Sequence, residues 1–588
     1  MRKVDREKQV AEAEELLGPS PEKLGFGKGL FFGRHQGSSL AGYPNLLADT
    51  ATSQAAEHLK AFCQAQIDPV AIDRNAEIPQ QVIEGLGKLG VLGACLPTRF
   101  GGRGMSQTAY CRLIEVLGGH CASTALFVNA HHSIGPRSLV LFGTAEQQAR
   151  YLPKLCTGEW LSAFALTETE AGSDAANVQT TATPTEDGRG FKLNGSKRWI
   201  TNGGIAQVLT VMARTPVPQS KDSKITAFIV TPDMPGFEVV EKRMPKCGVR
   251  GTVTSRLAFH DMFVPKENIL GEQGKGLRVA LTVLDFGRTT FGASCTGAAK
   301  TCLRLARTHA KSRVQFGEPL ANFELVKEKL ANMAAGIFAM EAATYQTAAL
   351  IDSGVGDFML ETAILKVFAT ETLWKILYDT FQIHGGLAYF LDQPFERMMR
   401  DARINQIGEG ANDVLRTFTA LVGMRDVGLE LQGVLKAAMN PLANLGKLGR
   451  FAGHKLESIF SSPHVDFTHS ELAPEAIRLG ALIGTFGGQV EKLLRTYQES
   501  ILERQYQLGR VADAAIELFT SACVLRRIDS ILSQAEHNGA DAGQTKRDLS
   551  IARYYLLAAD RRINQNLAAL WANDDEATTA AAEIALTD

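Results

Sequence analysis

The 588-residue chain has no cysteine pair at CxxC spacing and no apolar run of the roughly 18 residues that a membrane span needs. It also lacks a Walker A motif, a GxSxG elbow and a GxGxxG placed directly after a strand. These absences exclude a P-loop nucleotide site, a nucleophile-elbow hydrolase and a Rossmann dinucleotide site. The nine cysteines, at 63, 95, 111, 121, 156, 247, 295, 302 and 523, read as reduced and mostly buried thiols rather than a disulfide framework. His131 and His132 have no acid or thiol at ligand spacing, so a structural role is expected and no metal. Aromatic residues are only 7% of the chain and the formal net charge is -1, which leaves no general field for nucleic acid. The first 18 residues mix acids and bases without an apolar core, unlike a secretory or transit peptide. A cytoplasmic protein is therefore expected, with peripheral attachment at the inner membrane face as the alternative.

What is present is a large apolar fraction, 45%, in a chain long enough for roughly two to four domains. After an N-terminal extension (1–49), helical spacing at Val82, Leu86 and Leu89, and again at Leu113, Val116 and Leu117, predicts an α-domain over 50–160. The texture then changes. Runs such as Val208 to Met212 and Ile225 to Val230 predict a central β-domain over 161–270, and Asn194-Gly195 predicts a two-residue hairpin turn within it. Helical patterns return over 271–425 and persist through a further helical block, 426–588. The result is an α+β architecture with ligand sites expected in the seams. The stretch 431–456 carries Lys436, Lys447, Arg450 and Lys455 and no acid. It suits an amphipathic segment at an anionic bilayer, or equally a linker packed on the body.

One carboxylate stands apart. Glu409 lies between Gly408 and Gly410, where absent side chains let the backbone approach a ligand and few cations oppose a gain in proton affinity. The same position, ahead of the apolar run Val414, Leu415 and Phe418, also suits an acid at a helix start. In the β-domain, an apolar strand at Phe164 runs into hydroxyls, a glycine and acids (Thr167 to Asp174), and Trp199 precedes Thr201 at a turn. Both are ordinary strand ends, or else donors for a polar ring edge or phosphate.

These segments, with Asn194-Gly195-Ser196-Lys197, Arg313 followed by Gln315-Phe316-Gly317, Gln382-Ile383-His384-Gly385-Gly386, Arg400-Asp401 and Glu409-Gly410, resemble the acyl-CoA dehydrogenase family in order and nearly end to end. The length, Leu284 to Arg288 and the extra C-terminal block look like its very-long-chain branch, which includes a mitochondrial member that is also a respiratory complex I assembly factor. The resemblance implies an N-terminal helical domain, a central β-domain, a C-terminal four-helix bundle and an extra helical domain. It also implies FAD, a fatty acyl-CoA substrate oxidised to the trans-2-enoyl-CoA, and an electron-transferring flavoprotein as acceptor.

By the same resemblance, Glu409 is the base that removes the α-proton, and its N–H meets the thioester oxygen. Phe164, Leu166, Thr167, Trp199, Ile200 and Thr201 fall at the flavin, Ser173 at the pyrophosphate or CoA arm, and Arg288 and Gly410 on the substrate side. Arg313, Gln315, Phe316, Gln382, Ile383, Gly385 and Gly386 match positions that reach FAD across the interface of a homodimer, and Ala411, Asn412 and Asp413 lie toward its adenosine half. The chain departs from the pattern at Thr169-Glu170, an extra acid near the flavin loop that either shifts the redox potential or faces solvent, and at Gly408 and Ala411, which enlarge or loosen the site and leave the substrate shape open. Some branches place the base where this chain has Gly287, leaving Glu409 as the candidate. An acyl-CoA oxidase and a respiratory assembly protein of the same fold are the alternatives.

Overall fold

A computed structural model describes residues 24–40, 42–46, 48–218, 222–438, 462–538 and 541–587. The basic stretch 431–456 lies outside the described residues from 439 onward, and 431–438 end the helix Asn412–Ala438. Among the described residues the chain forms two compact units, one from 45–333 and 369–411 and the other from 24–44, 334–368 and 412–587.

The first unit begins with capped helices. Asp49, Asp68 and Ser106 each accept a first-turn N–H, starting Thr50–Gln66, Pro69–Asn75 and Gln107–His120, and Thr144 with Gln147 closes a capping box at Ala145–Thr157. Helix Gln80–Lys88 buries Val82, Ile83 and Leu86 on one face, as its spacing predicts. The long helix Gly276–Ser312 follows the sheet and lies against Gln107–His120.

The β-domain is an eight-stranded sheet among the described residues: β1 (Ser162–Ala165), β2 (Thr181–Pro184), β3 (Gly190–Thr201), β4 (Val208–Thr215), β5 (Lys224–Val230), β6 (Phe237–Glu241), β7 (Thr254–Pro265) and β8 (Ile269–Leu270). The order is β6-β7-β3-β2-β4-β5-β8, with β1 parallel to β4. Strands β4 and β5 are buried almost throughout, because apolar clusters cover both faces.

The expected Asn194-Gly195 hairpin is not formed. Strand β3 runs straight through these residues with a bulge between Leu193 and Gly195 opposite β7. Asn194 uses its amide across the strands, donating to Asp261 Oδ1 and accepting from Asp261 N, both at 2.9 Å. Gly195, at φ +145°, leaves the space that Thr180 fills. The turn that joins β2 to β3 lies earlier, at Asp187-Gly188, where Gly188 has φ +67° and Thr185 N donates to Gly190 O.

The second unit packs Asn412–Ala438, Ala473–Tyr497, Gln505–Asn538 and Ala542–Ala569. The short helix Phe26–Phe31 belongs to it. Phe26, Leu30 and Phe31 are completely buried, and the Phe31 ring meets Phe486 edge-on at 5.2 Å. Gly27 N donates to the Glu361 carboxylate at 2.8 Å, a group that burial pushes up to about 7.

Candidate active site

Glu409 follows a short 3-10 turn, Ile404–Gln406, and adopts φ +56°, a left-handed conformation uncommon outside glycine. The turn is pinned from behind. Arg400 grips both oxygens of Asp73 at 2.9 and 2.7 Å and also Glu396, while Asp401 accepts Val249 N at 2.6 Å. Such surroundings hold the strained residue in place.

The Glu409 side chain lies against helix Gly276–Ser312 at Gly287, so closely that a Cβ there would collide with the carboxylate. The glycine that cannot supply a base in this chain is thus the one that makes room for it. Asn129 Nδ2 donates to Glu409 Oε1 at 3.2 Å, and Thr290 donates its hydroxyl to Asn129 Oδ1. Arg288 Nε donates to the Glu409 carbonyl at 3.3 Å and pairs with Asp285 at 2.8 Å, both side chains being buried. Arg288, matched above to a CoA-side contact, therefore anchors the main chain of Glu409.

A second group gathers at the ends of β1 and β3. A bulge between Lys197 and Ile200 turns Trp199 outward at φ +60°, half exposed, and Arg198 N donates to Thr167 O at 2.9 Å. Beneath them Lys197 Nζ, fully buried, reaches Glu168 Oε1 at 2.6 Å and Leu166 O at 3.0 Å. Glu168 also accepts from Thr180 N, Thr180 Oγ1 and Gln179 N. Burial pulls Lys197 down to about 8, against the field of Glu168. Burial also works to raise the Glu168 carboxyl, yet Lys197 and the surrounding donors hold it below the ordinary carboxylate range.

The hydroxyls of Thr167, Ser173 and Thr201 make no hydrogen bond among the described residues, and Ser173 is exposed. Unbonded hydroxyls at Thr167 and Thr201, on the joined strand ends that also carry the half-exposed Trp199, fit a flat ring with polar edges, as a flavin has. The side chains of Phe164 and Ile200 are buried in the sheet cores, so only their main chains are left to meet a ligand.

The remaining predicted residues fall elsewhere. Phe316 tips the hairpin formed by Val314–Gln315 and Glu318–Pro319, with φ +54° and 95% exposure. His309 stacks on His384 at 4.4 Å, which brings the helix end before Arg313 beside the exposed Gln382, Gly385 and Gly386, whereas Ile383 is buried. Asn412 and Asp413 belong to the second unit, where buried Asn412 accepts from Lys366 Nζ at 2.9 Å and Asp413 is exposed. Ala411 and Gly410 continue the chain from Glu409. His131 and His132 are buried and bonded to Leu155 O, Ser162 N and Cys95 N, and no group of side chains that could hold a metal occurs among the described residues.

Asn129 and Thr290 have no local signature, and although Glu168 and Lys197 each lie in a segment quoted above, nothing in either segment shows that the two pair. They come from segments remote in sequence, and only folding joins them.

Family matches cover about four fifths of the chain. Its residues 50–159, 163–262 and 274–422 match the families described as "Acyl-CoA dehydrogenase, N-terminal domain", "middle domain" and "C-terminal domain", and 470–587 match "ACAD9/ACADV, C-terminal domain". The human "Very long-chain specific acyl-CoA dehydrogenase, mitochondrial" is 36% identical over 93% of this chain and 84% of its own. "Probable acyl-CoA dehydrogenase FadE10" of Mycobacterium tuberculosis is 34% identical over 97% and 90%. Among solved structures, an acyl-CoA dehydrogenase complexed with FAD from Bacillus anthracis superposes with TM-score 0.76 at 27% identity, covering 93% of this chain and 92% of the other.

Proposed function

The chain belongs to the acyl-CoA dehydrogenase family of FAD enzymes, and on that premise we propose that it converts long-chain fatty acyl-CoA to trans-2-enoyl-CoA in β-oxidation, with Glu409 as the base. The observation that carries this reading is the Glu409 carboxylate laid on Gly287 and bonded by Asn129. The α-hydrogen of a thioester is only weakly acidic, so its removal needs a positioned base and a donor for the charge that develops on the carbonyl oxygen. Glu409 takes the proton, and its own N–H, supported through the carbonyl by Arg288, serves as the donor. Bound FAD would supply the redox chemistry, as acceptor of the hydride (the hydrogen with its electron pair) lost from C3. Thr167 and Thr201 would hold the ring edge, and Trp199 would screen its face. The small Gly408 and Ala411 widen the space beside the base, which suits a bulky or long acyl group.

The expected result is rapid anaerobic bleaching of the flavin by long acyl-CoAs and slow bleaching by butyryl-CoA. Equal rates for all lengths would remove the chain-length assignment, and no bleaching by any of them would remove the reaction. Reoxidation by electron-transferring flavoprotein, rather than peroxide release in air, belongs to the same proposal. So does a homodimer, supported by the exposed Phe316, Tyr389, Phe390 and Leu391.

The cations of 431–456 are proposed to dock the protein on anionic lipid. Replacing Lys436, Lys447, Arg450 and Lys455 with Gln is expected to lower sedimentation with phosphatidylglycerol vesicles while turnover on soluble substrate stays unchanged. Undiminished sedimentation would support the packed linker.

A further inference from the structure

We infer that Asn129, oriented by Thr290, is a positioning residue that keeps the Glu409 carboxylate ionised and seated on Gly287 before substrate arrives. This rests on the reading of Glu409 as the base. The Asn129 side chain is only 4% exposed and closes the ring of contacts between its own helix, helix Gly276–Ser312 and the 409 turn. It stands directly before the π-helix Ala130–Ile134, whose wider winding sets where the preceding turn projects.

The direction of the amide decides what it does. With Nδ2 toward Glu409, it offers an N–H, which favours a charged carboxylate and gives a protonated one no acceptor. Reversed, Asn129 would set its oxygen against a carboxylate oxygen. Thr290 selects the first arrangement, because its hydroxyl donates to Asn129 Oδ1. That hydroxyl has one proton and a competing acceptor, Gly287 O at 2.8 Å, while Ser133 Oγ lies 3.5 Å away and can donate to the Thr290 oxygen in turn. Both hydroxyls are buried, so bulk solvent does not compete for their hydrogen bonds.

The charged and titratable groups on the neighbouring elements have partners of their own. Arg288 and Asp285 neutralise each other, and Arg137 stacks on Phe286 at 4.4 Å and donates to Gln107. Burial holds His131 down at about 4 and His132 well below its ordinary value, so both are neutral at physiological pH. Asp401 is turned to Val249 N and Tyr110 is buried against His132.

The test is the pH dependence of kcat/KM with a long-chain acyl-CoA, measured on the FAD-loaded enzyme and on Asn129→Ala, Thr290→Val, Thr290→Ser and Glu409→Gln. The acidic limb reports the base of the free enzyme. In Asn129→Ala it is expected to move upward by about one pH unit, so that activity falls about tenfold at low pH and returns to the parent value at high pH. Thr290→Val should move it in the same direction by less, and Thr290→Ser, which keeps the hydroxyl, should restore the parent profile. A limb that stays in place in both Asn129→Ala and Thr290→Val, or an equal loss at every pH, overturns the inference. Turnover by Glu409→Gln would instead overturn the assignment of the base, so the two failures are distinct.

Discussion

Replacement of Glu409 by Gln is expected to leave a folded, yellow protein whose flavin bleaches about a hundred to ten thousand times more slowly with acyl-CoA, the range spanned by a positioned general base. Gln keeps the length of the side chain and an oxygen for Asn129, and the anchors of the turn (Asp401 on Val249, Arg288 on the 409 carbonyl) are untouched. Substrate affinity should therefore change little while the chemical step collapses. Stopped-flow absorbance under anaerobic conditions, with a titration of enoyl-CoA product for binding, separates the two. Bleaching at the parent rate would show that another group takes the proton, and the geometry around Gly287 would need a different explanation.

The second large effect concerns stability. Lys197→Met removes the countercharge of Glu168 at a place where neither side chain meets solvent, with exposures of 0% and 5%. Breaking one side of a buried pair costs about 3–5 kcal/mol, most of it the penalty of leaving the other charge alone in a poor solvent. The loss falls on the join between β3 and the segment after β1, since the Lys197 ammonium also ties Leu166 O. Chemical unfolding followed by flavin fluorescence should show FAD released at lower denaturant than in the parent, and the double variant Glu168→Gln, Lys197→Met should recover part of the loss. A Lys197→Met protein within about 1 kcal/mol of the parent, the scale of an ordinary substitution, would mean that the pair carries little.

Much of this was readable from the chain, for reasons that can be stated residue by residue. The helical spacing of Val82 and Leu86 and the β-rich runs at 208–212 and 225–230 depend on local periodicity, and the structure keeps them. The glycines on either side single out Glu409 in the sequence, and its backbone between them is left-handed. Asn194-Gly195 misled because positive φ serves a bulge as well as a hairpin, and the partner that decides, Asp261, is far along the chain. Asn129 and Thr290 were silent for a related reason: an amide and a hydroxyl have no pattern until a third group gives them a direction. The hexapeptide Phe26–Phe31, with two glycines and a lysine, offers no periodicity from which its complete burial could be foreseen.

That burial has a consequence for how the molecule is made. Phe26 and Phe31 emerge from the ribosome well before Phe519 and Phe486, the rings that receive them. The second unit cannot close its core as it leaves the ribosome. The two aromatic side chains must stay available until Phe486 and Phe519 have been made, and the long loop they then tie is one that a slow, non-local step has to form.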